Sequence, residues 1–400
     1  MSESLPHPVL PWSSARDVLE RLGFYLLVAA ALFGIPIISI GDDAITVFDA
    51  ALVVYSLARL LRGGVVLGHN DWRPFFALWA LYGMYLLLRF LPHASVFAGL
   101  LVAKQFEHLI FALLLVDRLD NHRSTGDLKA TVVLISAAVA YQILYYHNLI
   151  GGIGANYRLG LPFATGVSSN PAGFFLGAWV VVLLHTRRIW REFPAYGAAS
   201  LLLSVYALIQ TRSRTNLLAL LLVLVVTVCI RVWRAGGWRW VAAALVGFAL
   251  AYASVVLFVE EAGPLARVIR LLKDPLSALE DGSFAIRLRE SWPRAFGFWR
   301  ADWRSVLIGR GLDYTGPVDG TVPRLLANQG VIGLLLFLSV WYVHFLVHRK
   351  SAAVLLLLLF AFLNGINAET LVISYRSIQA YMVILVIAVS YGSETWKTTH

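Results

Sequence analysis

Apolar runs of about 20 residues recur from Leu22 to Tyr391, most of them separated only by short polar breaks. A helix rising 1.5 Å per residue needs a run of about that length to cross a hydrocarbon core of about 30 Å. Lipid offers no hydrogen-bond partner to an open backbone, so each run must close its own backbone as a helix. No stretch shows the alternation of barrel strands. Composition points the same way: 59% of the 400 residues are hydrophobic and 14% are charged, too few charged groups to cover a soluble domain. The expected fold class is an all-α polytopic membrane protein, one integral membrane domain over 1–400 with no internal repeat, low-complexity tract or separate soluble domain.

The runs give twelve expected spans, near 22–40, 44–61, 74–91, 97–116, 130–149, 171–186, 195–210, 215–232, 240–259, 326–347, 352–364 and 371–391. Their orientation follows from Lys and Arg in the short connections. With the N-terminus inside, the inner connections hold Arg59, Arg62, Arg73, Arg118, Arg123, Lys129, Arg187, Arg188, Arg191, Arg231, Arg234, Arg239, Arg349 and Lys350. The short outer connections hold only Arg89, Arg158, Arg212 and Arg214. Both termini are therefore expected in the cytoplasm. This bias also accounts for much of the net charge of +10 without nucleic acid as a partner. Met1–Trp12 lacks the basic region and short apolar stretch of a cleavable signal, and Ser14 with Asp17 reads as the cap of a short interfacial helix before the first span. The single cysteine, Cys229, lies in an apolar run, which leaves no intramolecular disulfide or cysteine-rich metal site.

Two outer segments are longer than turns: 147–170, rich in glycine, and the large loop 260–325, where amphipathic pieces are read near 264–273 and 284–303. The second places Phe284, Leu288, Trp292, Phe296 and Trp299 at helical spacing, a stripe that serves packing or membrane-surface anchoring. The outward arginines run against the topological bias. Arg212 and Arg214 occupy a tight turn, Arg158 the first long segment, and Arg287 and Arg289 the second, with Glu290 beside them. A guanidinium fork suits phosphate, so arginines from separate segments could clamp one anionic lipid head group. Snorkelling to bulk lipid, or pairing with Glu260, Glu261, Asp281 or Glu290, is the simpler alternative. Lys104, Gln105, Glu107 and His108 interrupt the fourth span. Lys104 is a substrate-binding candidate, against which stands neutralisation by Glu107 at i, i+3. His344 and His348 are four apart on a helix, but their place at the cytoplasmic end favours interfacial packing over metal binding. No metal site, Walker loop, dinucleotide fingerprint, HExxH or GxSxG motif is present, so no cofactor is expected.

Four short patterns recur in order along the chain. Arg158 and Gly160 precede Asn170-Pro171 at the start of a span. Thr211-x-Ser213-Arg214 leads into an apolar helix. Arg287 and Trp292 precede Gly309-x-Gly311. Asn328-Gln329-Gly330 runs into Gly333. In these features, over most of the chain after about residue 150, the sequence resembles the bacterial O-antigen ligase and O-antigen polymerase superfamily. Where ligases of that superfamily carry His-Asn ahead of the last pattern, this chain has Asp319-Gly320, which favours the polymerase branch.

The resemblance implies a type C glycosyltransferase fold and a metal-independent enzyme of the bacterial inner membrane with its active site on the periplasmic face. It would polymerise undecaprenyl-diphosphate-linked oligosaccharide repeats. Donor and acceptor glycolipids, membrane lipids and a chain-length regulator would be its partners. Arg214 and Arg287 would stabilise the departing diphosphate. Asp319, or Glu290 in its place, would take the acceptor's proton. Arg158, Arg212, Asn170 and Arg289 would hold substrate. A ligase moving glycan onto lipid A core or protein is the alternative within the class, and a polysaccharide or lipid transporter the alternative outside it.

Overall fold

A computed structural model of the chain describes residues 11–40, 43–62, 70–93, 95–120, 124–147, 149, 169–239, 242–243, 246–247, 269–270, 273–274, 285–312, 320–349, 351–367 and 375–392. These form α1 (Pro11–Phe33), a hairpin of β1 (Pro36–Ile40) and β2 (Asp43–Thr46), α2 (Val47–Leu61), α3 (Arg73–Phe90), α4 (Val96–Leu115), α5 (Thr125–Tyr146) and α6 (Ser169–His185). There follow α7 (Arg187–Glu192), α8 (Pro194–Gln210), α9 (Arg214–Gly236), α10 (Trp292–Trp299), α11 (Trp303–Ile308), α12 (Thr321–His348), α13 (Ala352–Asn367) and α14 (Tyr375–Tyr391). Among the described residues four stretches, Ala98–Asp120, Thr125–Tyr146, Arg214–Trp233 and Thr321–His348, are long and apolar enough to cross a membrane, and four shorter apolar helices accompany them. This is the build of a multi-pass membrane protein. The expected span 240–259 falls almost wholly outside the described residues.

The centre of the bundle is α6 and α14. Along α6, Phe174, Trp179, Val181 and Leu183 are fully buried, and along α14 so are Tyr381, Val383 and Leu385. Helices apolar on every side belong inside. Phe174 stacks on Tyr381 with ring centroids 5.2 Å apart, and the Trp179 indole donates to Ser200 Oγ at 2.8 Å, so its one polar atom is satisfied.

Three expectations are corrected. The first span does not run to residue 40. Gly34 adopts a φ of 60°, Pro36 lacks the N–H a helix needs, and the β-branched Ile37, Ile38 and Ile40 enter an antiparallel hairpin that sets Ile38 opposite Ile45. Nor is there a separate interfacial helix before that span, because α1 is continuous from Pro11 to Phe33. Finally, His344 is fully buried rather than interfacial, packed between Phe75 at 5.1 Å and Trp72 at 5.4 Å, with His348 at 4.6 Å.

One end of the bundle is a web of charge. Arg59 bridges Glu20, at 2.8 Å, and Asp117; Arg62 also meets Glu20. Arg118 pairs with Asp127 at 3.0 Å, and Trp72 donates to Asp120 at 3.0 Å. We call this the basal end. The opposite ends of α3 and α5, at Arg89 and Tyr146, mark the distal end. The α8–α9 turn belongs there because Tyr146 donates to Gln210 at 3.4 Å. The α11–α12 unit belongs there because Arg89 reaches it.

Candidate functional site

At the distal end, the described parts of the four sequence patterns meet in two pairs, Asn170 with Ser213 and Gly309–Gly311 with Asn328–Gly330. In the first, Thr211, Arg212 and Ser213 turn the chain from α8 into α9. Thr211 donates to the Leu208 carbonyl at 2.7 Å and accepts from the Ser213 amide at 3.2 Å. Ser213 Oγ donates to Asn170 Oδ1 at 2.8 Å, and Asn216 Nδ2 donates to the Asn170 carbonyl at 3.0 Å and to Ser213 Oγ at 2.7 Å. The start of α6 is thereby tied to the start of α9. Within this knot Arg212 adopts a φ of 52°, and it is the one positive-φ residue other than glycine among the described residues. An L side chain in that region costs about 1–2 kcal/mol. The Arg212 Nε is buried and has no hydrogen-bond partner among the described residues. Arg214 opens α9, half-buried and engaged by neighbouring groups.

The second pair joins Gly309–Gly311 to a break in α12. Gly330 has φ 68° and ψ −168° and divides α12 into an outer half, Thr321–Gln329, and a longer second half. The outer half's last carbonyls have lost their intrahelical partners, and others replace them. The Arg310 amide donates to Ala327 O at 3.0 Å and the Gly311 amide to Asn328 O at 3.1 Å, while the Tyr85 hydroxyl donates to Gln329 O at 2.5 Å. Asn328 Nδ2 returns a bond to the Leu312 carbonyl at 2.8 Å. Tyr82 donates to Gln329 Oε1 at 3.0 Å, and Arg89 donates to Gly309 O at 2.9 Å while its Nε stays buried without a partner among the described residues. Arg324, on the outer half, is 7% exposed.

The 284–303 stripe becomes a π-helical turn, Arg287–Ser291, followed by α10 and α11. Arg287 is half-buried with neighbours of its own, whereas Arg289 and Glu290 are exposed. Ala295 of α10 packs on Ala327. Asp302 caps α11, accepting from the Ser305 amide and hydroxyl, each at 2.8 Å. Those two bonds, the amide first, hold its carboxyl below the usual carboxylate range. Asp319, Arg158 and most of 147–170 and 264–273 lie outside the described residues.

Lys104 lies elsewhere, inside the bundle, engaged by Asp49 at 2.5 Å and Glu107 at 2.8 Å. Sequence reasoning missed Asn216, Tyr82, Tyr85 and Arg324. Asn216 and Arg324 carried a signal, each a polar group at the mouth of an apolar run; the tyrosines carried none. A cavity of about 570 Å³ runs between α12 and α13, lined by Leu335, Leu338, Trp341, Leu358 and Phe362 and reaching Thr321. Among the described residues no group of three or more His, Cys, Asp or Glu is placed to hold a metal ion. No protein-family model matches the sequence, and neither does any curated protein.

Proposed function

We propose that this chain is a glycosyltransferase of the bacterial inner membrane, twelve spans with both termini cytoplasmic, that polymerises undecaprenyl-diphosphate-linked oligosaccharides at its periplasmic face. The distal end is that face in this reading. The observation that carries it is Arg212: a charged residue held in a strained backbone conformation, with a buried Nε that has no partner among the described residues. Strain of this kind persists where the surroundings over-determine it, and it clusters at binding sites. A buried donor without a partner costs about 1–3 kcal/mol, and a phosphate oxygen would supply the acceptor. The apolar cavity between α12 and α13 suits a lipid-borne substrate.

The chemistry follows from a donor that is already activated. The bond from the anomeric carbon to the diphosphate oxygen breaks, and an acceptor hydroxyl forms the new glycosidic bond. Its proton passes to a carboxylate, Asp319 or Glu290, and undecaprenyl diphosphate departs. Arg212, Arg214 and Arg287 lower the barrier by meeting the charge that builds on the leaving group. Transport of a lipid-linked glycan is a second reading, favoured by the ion triad of Asp49, Lys104 and Glu107 within the bundle.

Glycan analysis of a deletion strain separates these readings. Core carrying a single repeat supports polymerisation. Naked core with accumulated lipid-linked polymer means a ligase, and repeats trapped on the cytoplasmic side mean a transporter.

A further inference from the structure

We propose that Asp49, Lys104 and Glu107 form a binding site for one proton inside the bundle, separate from the distal arginines. Lys104 and Glu107 share a face of α4, and Asp49 projects from the first turn of α2. The side chains are 7%, 27% and 13% exposed for Lys104, Glu107 and Asp49. Charges largely enclosed in a bundle must balance, yet here two carboxylates share one ammonium.

Geometry shows which carboxylate lacks support. Asp49 Oδ1 accepts from Lys104 Nζ at 2.5 Å, and its Oδ2 accepts from the Thr46 amide at 2.6 Å and the Thr46 hydroxyl at 3.1 Å. Glu107 Oε2 lies 2.8 Å from the same ammonium, but the approach is off-line, so this buried oxygen makes no aligned hydrogen bond among the described residues. Asp49 Oδ1 and Glu107 Oε2 both press on the same Lys104 Nζ, which holds the two carboxylates close together. Two ionised carboxylates at that range repel, whereas one proton makes Glu107 a donor to Asp49 and brings the triad to zero net charge. Among the described residues Lys104 and Asp49 are the charged groups acting on Glu107, while His108, next along α4, is buried with interactions of its own. The step is a protonation alone: hydronium gives one proton to the Glu107 carboxylate and leaves water. Glu107 is the most exposed of the three, which makes it the point of entry.

The test is infrared spectroscopy of the full chain in lipid vesicles at neutral pH. The wild type is expected to show the carbonyl stretch of a protonated carboxyl, shifted in D2O. Glu107→Gln removes it. So does Asp49→Asn, because the remaining Glu107 then faces Lys104 one to one and ionises. A purely structural ion cluster would carry no such band. Its absence from the wild type, or its survival in either variant, overturns the proposal, and the wild-type spectrum requires no variant to fold.

Discussion

Gly309 and Gly330 sit where two stretches of backbone press together, and neither has room for a side chain. A Cβ on Gly309 would fall on the peptide between Asn328 and Gln329, and one on Gly330 on the Leu307 carbonyl and the Gly309 amide. Both also sit in the left-handed region, with φ of 70° and 68°. Gly330→Ala and Gly309→Ala are each expected to destabilise by more than the ~1–2 kcal/mol of left-handed strain, since overlap with peptide atoms adds to it. Thermal unfolding in detergent measures this. A melting temperature within a degree of wild type would mean that the break in α12 is not the native conformation.

Arg212 offers a way to separate stability from function. Arg212→Gly removes the guanidinium and also the left-handed strain, so the protein is expected to gain about 1 kcal/mol while losing polymerisation. Arg212→Ala loses the same chemistry and keeps the strain. Arg214→Ala and Arg287→Ala are likewise expected to abolish polymer at normal protein level. Glycan of wild-type length from Arg212→Gly, Arg214→Ala and Arg287→Ala together would refute the diphosphate clamp.

How far the sequence revealed this architecture depends on which force sets each element. Burial in lipid or core sets α3 to α6, α8, α9, α13 and α14, and a run of apolar residues reports burial directly, so these helices fall close to their expected places. The hairpin is set by Gly34 and Pro36, local breakers inside a run that still scores as apolar, and hydropathy passes over them. The break at Gly330 is fixed by contact with Gly309, a relation between positions distant in sequence that no window on either one reveals. The patterns around Asn170, Ser213, Gly309 and Gly330 were legible as residues, but their meeting in two knots was not. Lys104 shows the reverse limit. Glu107 was visible as its i, i+3 partner, whereas Asp49 comes from another helix.

The knot between α6 and α9 predicts a coupled pair of substitutions. A Cβ on Gly173 would stand 2.5 Å from Asn216 Nδ2 and 2.9 Å from its Cγ. Gly173→Ala therefore displaces Asn216 and breaks its bonds to the Asn170 carbonyl and Ser213 Oγ, an expected loss of about 1–3 kcal/mol. Asn216→Ala removes the same two bonds and costs about as much. The double variant leaves only a 3.2 Å approach to Cβ, so its loss should fall short of the sum by about 0.5–3 kcal/mol. Unfolding of the four proteins measures the coupling, and strict additivity would show that the two positions do not share this contact.

At the basal end, His344 tests whether a buried imidazole is there for its nitrogens. Neither Nδ1 nor Nε2 has a hydrogen-bond partner among the described residues, and the ring is fully buried among Trp72, Phe75 and His348. A polar group left in that state costs about 1–3 kcal/mol, while the aromatic contacts need only a flat ring. His344→Phe keeps the ring and removes both unsatisfied nitrogens, so it should raise the melting temperature. His344→Ala removes the contacts as well and should lower it, by about 2–5 kcal/mol of stability if it behaves like other large-to-small core changes. Destabilisation by Phe as severe as that by Ala would mean that the imidazole nitrogens hold something the aromatic cage alone does not explain.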